Sequence, residues 1–289
     1  MSFLRNPLTW HKRYVEGVYD MPSGPAAIIG RAGHKALEYY YCQAREGYDR
    51  NSVHNQTKSG RKPSEDYLLR KAYQGASKEV AIEQGLGYLQ SVSDFEIEFG
   101  KAHSVSAKKA KRKAMEKEYL QAVGFYLERP PRHKVLGVEV MSTARVKGLP
   151  LPIKAVSDLV VESRVEKGAI DIVDHKFVDS FSAIGNEKPL FVLQAIFNYF
   201  TVQEVYGLPV KRFILQECKK KKNRNGASQM KRHVILYEDH KDDFELFFRL
   251  INDASTEIAR RQVFLPNPSD MFEGKNSFEI YRMGLVGDE

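Results

Sequence analysis

Ile172-Val173-Asp174-His175-Lys176-Phe177 decides the fold, read together with Val156-Ser157-Asp158-Leu159-Val160 just upstream. Val, Ile and Phe dominate both runs and both are short, so each reads as a strand. Successive side chains on a strand point to opposite faces, which puts Asp174 and Lys176 on the same side. With Asp158 on a neighbouring strand, two carboxylates and an ammonium share one place. Paired carboxylates hold a hard divalent cation such as Mg2+. A lysine beside them orients an attacking water or steadies negative charge on a phosphate. The set suits metal-assisted hydrolysis of a phosphodiester. A lone Asp-x-Lys on a strand is more often a surface ion pair, so the reading depends on its companions.

Those companions occur in a definite order. Gly30-Arg31-Ala32-Gly33-His34-Lys35-Ala36-Leu37-Glu38 reads as a helix with His34 near its first turn. Gly137-Val138-Glu139-Val140 is a short strand with a carboxylate in the middle. Asp158 and then Asp174-His175-Lys176 follow. Last comes Leu193-Gln194-Ala195-Ile196-Phe197-Asn198-Tyr199-Phe200, an apolar helix carrying a glutamine.

The series resembles the PD-(D/E)XK nuclease superfamily, and within it the RecB-like exonuclease branch. That branch looks like Gly-x-x-x-His on a helix, a Glu-bearing strand, an Asp-bearing strand, Asp/Glu-x-Lys, and Gln-x-x-x-Tyr on a helix. The opening Phe3-Leu4-Arg5-Asn6-Pro7-Leu8-Thr9-Trp10-His11-Lys12-Arg13-Tyr14 is similar to its lead-in helix. The likeness runs to about Tyr237, interrupted between Tyr41 and Val135. One departure stands out: Tyr199 lies five residues after Gln194, and Asn198 occupies the fourth place. Four residues share a helix face and five do not.

The resemblance implies an α/β fold, a mixed central sheet flanked by helices with a helical insertion. It implies His34, Asp158, Asp174 and the backbone carbonyl of His175 as metal ligands, with Lys176 beside the nucleophilic water. Glu139 would lie near the metals and Gln194 would support the site. Carboxylates suit Mg2+ or Mn2+, and an imidazole tilts the preference toward Mn2+. Related branches hold an iron–sulfur cluster on four cysteines. This chain has two, Cys42 and Cys218, so no iron–sulfur cluster is expected.

Lys and Arg number 45 against 37 acids, a net charge of +8 that favours a polyanionic partner, here expected to be DNA, single-stranded or at duplex ends. Two distant cysteines form no disulfide framework, so a reducing compartment is the default. No apolar run reaches membrane-spanning length and no signal peptide is apparent, so a soluble, intracellular protein is expected, in a cell or an infected host. Protein partners in recombination, repair or replication are not specified by the sequence.

A single domain over 1–289 is expected, with the insertion at about 43–132. Polar residues 43–65 read as a loop, 66–92 and 106–127 as helices, and Pro130-Pro131 as a stop. Strands are expected at 135–146, 151–162, 169–177, 210–219 and 231–238, with helices at 188–205 and about 240–261 and a loop-rich tail after Pro266. Tyr39, Tyr40 and Tyr41 read as alternating core and surface positions, or as a stack for unpaired bases. Lys108–Lys117 reads equally as a solvated helix face or a cationic one. Lys219, Lys220, Lys221, Lys222 and Arg224 read as an exposed hairpin tip contacting phosphates. The activity this implies is exonucleolytic cleavage of DNA. A structure-specific endonuclease and a catalytically weak DNA-binding or scaffolding module are the alternatives.

Overall fold

The apolar runs between residues 135 and 236 form five strands that pair in sequence order, β1 (Val135–Ala144), β2 (Ile153–Glu162), β3 (Ile170–Val178), β4 (Val210–Lys219) and β5 (Met230–Leu236). A computed structural model describes residues 6–18, 22–54, 63–182, 189–223 and 226–265. Arg224 and the tail after Pro266 lie outside the described residues. All neighbours are antiparallel except β3 and β4, which are parallel. A parallel pair needs a crossover, and the chain between them contains a helix, Pro189–Tyr206. β3 is buried almost throughout, with Ile170, Ile172 and Val173 fully enclosed. Burial on both faces explains why it reads as a nearly continuous apolar run.

Seven helices are described: α1 (Pro7–Tyr14), α2 (Pro25–His54), α3 (Glu65–Gly75), α4 (Lys78–Ser91), α5 (Val105–Glu128), α6 (Pro189–Tyr206) and α7 (Lys241–Arg260). The chain divides into two compact units. One comprises 23–147 and 152–245 and holds the sheet and α2–α6. The other comprises 1–22, 148–151 and 246–289. In this second unit Asn6 caps α1 by accepting from the Thr9 backbone N–H, and the His11 ring stacks on Phe264 at 4.2 Å.

α2 is the spine of the larger unit. It packs on α3, α4, α5, β1 and β3. Its buried stripe runs Ile28, Ala32, Ala36, Tyr40 and Ala44, with Ile29, Leu37 and Tyr41 beside it. Fully burying an Ile or Leu contributes on the order of 1.5–3 kcal/mol. The expected loop at 43–65 is helix as far as His54. Its polar residues cover an outer face, while Ala44 is buried and Gly47 lies so close to α3 that a Cβ would meet the Ala72 Cα at 3.3 Å. The expected continuous helix 66–92 is two, because Ala76 is extended and Ser77 caps α4 by accepting from the Val80 N–H. Strand ends agree with the sequence reading to within two residues.

α4 crosses α2 at Gly85. A Cβ there would lie 2.4 Å from the Ala32 carbonyl oxygen and 2.2 Å from the Tyr119 hydroxyl. Gly87, one half-turn on, has open space around it. Gly85→Ala is expected to destabilise the protein by about 1–3 kcal/mol through overpacking. Gly87→Ala, in the same helix, is expected to stabilise it by up to about 1 kcal/mol. Urea denaturation midpoints of the two variants check this, and equal shifts would refute the close crossing.

Candidate metal centre

The ladder between β2 and β3 runs from Glu162↔Ile170 to Leu159↔Val173 and goes no further. Just past its last pair stand Asp158 and Asp174. The His175 backbone N–H donates to Asp158 Oδ2 at 2.7 Å. The carboxylate thus serves a donor that a strand would otherwise have satisfied, since buried N–H groups rarely go unpaired. At the same level of β1, Glu139 has φ 46°, in the left-handed region, where a non-glycine residue costs about 1–3 kcal/mol.

His34 reaches this opening from α2, in the helix's third turn rather than its first. Its Nε2 donates to the His175 carbonyl at 3.0 Å. That bond turns Nδ1 toward two carboxylates, Asp158 Oδ1 at 3.4 Å and Glu139 Oε1 at 3.7 Å. Ligand atoms of His34, Glu139 and Asp158 all lie within 4.8 Å of one another. Adjacent ligands of an ion bound at about 2.1 Å stand about 3 Å apart, so shifts of less than about 1 Å would bring His34 Nδ1 and each carboxylate to that spacing. Two carboxylate oxygens and one imidazole nitrogen form a group that could hold a metal ion.

Asp174 stands beside this group rather than in it. Its Oδ1 accepts from Gln194 Nε2 at 2.7 Å, and Lys176 Nζ lies 2.7 Å from its Oδ2. Gln194 therefore comes to the site, from α6. Asn198, one turn further along α6, accepts from Ser157 Oγ at 2.6 Å and donates to the Gln194 carbonyl at 2.9 Å. The spacing of four from Gln194 was the available signal for this residue. Tyr199 instead packs its ring on Tyr237 and Phe244, at 4.9 and 5.2 Å.

Behind the site, the His175 ring is buried. It lies parallel to Tyr41 at 5.7 Å and its Nδ1 bonds the Tyr126 hydroxyl at 3.2 Å. Tyr40 and Tyr41 are core, which removes both as stacking platforms. No pattern in the sequence announces this Tyr41–Tyr126–His175 support, because its members are distant in the chain.

The lysine-rich segment is less exposed than its sequence suggests. The Lys220 side chain is 4% exposed, and its Nζ lies 3.0 Å from Glu118 and 3.2 Å from Asp179. Lys219 Nζ donates to Asn223 Oδ1 and lies over the Phe181 ring. Lys221 and Lys222 are exposed. On α5, Arg112 pairs with Asp94, while Lys109, Lys111, Lys113 and Lys117 face solvent.

Burial works against a charge on His34, but hydrogen bonds to Asp158 and Glu139 outweigh it, and the pKa rises from 6.5 to about 10. Burial alone would push Asp158 up, yet His34 brings it down to about 2. Burial raises Asp174 despite Lys176, and Lys176 is raised because Asp174 and Asp158 overcome its own desolvation. Burial holds His175 and His133 down at about 3.

No protein-family model matches the chain, and a search of curated proteins finds no significant match. Among the described residues no helix is long and apolar enough to cross a membrane.

Two predictions follow from these charges. His34, with its pKa raised, stabilises the metal-free fold fully below pH 6.5 and loses that contribution as pH climbs toward 10. His175 and His133, with theirs lowered, stabilise it above 6.5 and lose this as pH falls toward 3. Stability measured in chelator is expected to peak near pH 6.5, and His34→Gln should flatten the alkaline side; an unaltered alkaline side would contradict the His34 environment. Separately, Lys220→Ala is expected to cost about 1–3 kcal/mol, less than a fully enclosed ion pair because Glu118 and Asp179 reach water. Lys221→Ala and Lys222→Ala should be neutral in the same thermal melts.

Proposed function

We propose that the protein is a Mg2+- or Mn2+-dependent nuclease that hydrolyses DNA phosphodiester bonds, acting as an exonuclease on single-stranded or end-exposed DNA, with a PD-(D/E)XK-like core. One observation carries the reading. Residues 34, 139 and 158, far apart in the chain, bring ligand atoms within 4.8 Å of one another, next to the Asp174–Lys176 pair. The motif order read from the sequence and the net charge of +8 support the same conclusion.

In this reading His34, Glu139 and Asp158 hold the cation, with His34 giving up its Nδ1 proton to do so. A bound divalent cation polarises the phosphoryl group and activates water. Lys176, half-exposed and fixed by Asp174, presents its ammonium to charge developing on the phosphate. Gln194 holds Asp174, and through it Lys176, in place. Asp158 has a second duty, keeping the His175 backbone fixed, so its loss disturbs geometry as well as charge. Lys221 and Lys222 remain as phosphate contacts remote from the chemistry; Lys219 and Lys220 are engaged within the fold.

End-labelled linear and circular DNA, single- and double-stranded, incubated with Mg2+ or Mn2+, tests the proposal. Cleavage confined to linear substrates is expected. Efficient cutting of circles makes the protein an endonuclease, and no cutting at all leaves a binding module. Asp174→Ala and Lys176→Ala are each expected to lower the rate by about 10²–10³ with the fold intact by circular dichroism. Near-normal turnover in either would remove the pair from the chemistry.

A further inference from the structure

A groove of about 400 Å³ opens beside the His34–Glu139 edge of the metal centre, lined by Gly30, Arg31, His34, Lys35, Tyr88 and Glu139 among others. Its size is in the range of ligand sites. Arg31 and Lys35 lie one turn apart on α2, so they share the face that carries His34. The two cations differ. Lys35 is committed to Glu38, with Nζ 2.6 Å from Oε2. Arg31 donates its Nε to the Tyr88 hydroxyl at 2.9 Å, and among the described residues its two terminal nitrogens donate to nothing. Tyr88 comes from α4, and its ring packs against the core. The hydroxyl that receives Arg31 is thus on a fixed base, and it still has its own O–H to give.

We propose that Arg31 and Tyr88 form a clamp for a backbone phosphate of an unpaired DNA strand, adjacent to the phosphate at the metal centre. The inference rests on the nuclease reading for the polymer it names, and it adds a site that the motif series does not contain, since Tyr88 lies in the helical insertion. The chemistry is that of a guanidinium fork. A planar donor set matches phosphate oxygens best when its plane is held beforehand. The Nε bond to Tyr88 holds the plane, and the terminal nitrogens and the tyrosine O–H are left to point at one anion. Gly30 keeps the wall low: a Cβ there would meet nothing within 4 Å. Of the carboxylates lining the groove, Glu38 is neutralised by Lys35 and Glu139 belongs to the metal centre. Arg31, near enough to Glu96 to interact with its charge but not hydrogen-bonded to it, is the guanidinium that the groove presents to an anion. The clamp's donors serve one anion, so a phosphate of a single strand is the occupant proposed.

Fluorescence anisotropy with a labelled oligothymidylate, in chelator so that nothing is cut, tests the clamp independently of cleavage. Arg31→Ala is expected to weaken binding several-fold at low salt and to reduce the slope of log affinity against log salt by about 0.7, the loss of one single-strand phosphate contact. Tyr88→Phe is expected to weaken binding with the slope retained, because the charge stays and its orientation goes. Both side chains border the groove, and thermal melts identify a variant that has lost its fold; Arg31→Lys, which keeps the charge without the fork, then serves in place of Arg31→Ala, with the slope retained and affinity lost. An unchanged slope in Arg31→Ala overturns the proposal, as does a silent Tyr88→Phe, which would make Arg31 one more surface cation. An oligoribonucleotide bound more tightly than the matched DNA overturns the assignment to DNA, and a blunt duplex with the same Arg31 dependence overturns the preference for an unpaired strand. Failure of the wild-type protein to cleave any DNA would defeat the nuclease reading while leaving the clamp to be decided by these binding data.

Discussion

A backbone N–H that leaves a sheet must find another acceptor. At the end of the β2–β3 ladder the donor is His175 and the acceptor is the Asp158 carboxylate. This single substitution of side chain for strand lets the two strands part while both remain ordered. The gap it opens receives His34 from α2, whose Nε2 takes the His175 carbonyl, the other polar group of the same residue. Both backbone groups of His175 are thereby satisfied by Asp158 and His34, and the geometry of these two side chains is fixed by backbone requirements before any chemistry is considered.

The electrostatic arrangement follows from that constraint. Two carboxylates and the Asp174–Lys176 pair meet in a largely buried place, where unpaired charge is costly. His34, carrying its proton, lies between Glu139 and Asp158 and offsets part of their charge. Under the proposed function a cation bound through His34 Nδ1 would have to displace that proton, so its affinity would depend on pH.

The sheet was legible in the sequence because its strands are apolar and bounded by turns; the ends of all five strands match to within two residues. The candidate residues were singled out as residue types in order, and the fold places Glu139, Asp158, Asp174, Lys176, His34 and Gln194 near one another. What could not be read is what depends on distance across the chain. Residues 43–54 look like a loop because their polarity faces outward, and only the packing of Ala44 and Gly47 against α3 keeps them helical. Four consecutive lysines look like an exposed tip, yet Lys220 finds Glu118 from α5 and Asp179 from beyond β3. The left-handed backbone of Glu139 has no signature in Gly-Val-Glu-Val.

α2 carries His34 and Arg31 toward the groove and, two turns on, Tyr41 into the core, where Tyr41 meets Tyr126 and the His175 ring. The helix is thus gripped at both of its working levels, by His175's carbonyl at one and by its imidazole at the other. Such a helix behaves as a rigid shaft rather than as a scaffold with movable fittings: a twist that repacks the tyrosines also turns the imidazole away from its carboxylates. Under the proposed function, changes in specificity would be more readily accommodated from α4, whose Tyr88 could be replaced without rotating the shaft, and the insertion would be the part of the molecule where new substrate preferences could arise with the geometry around His34 held constant.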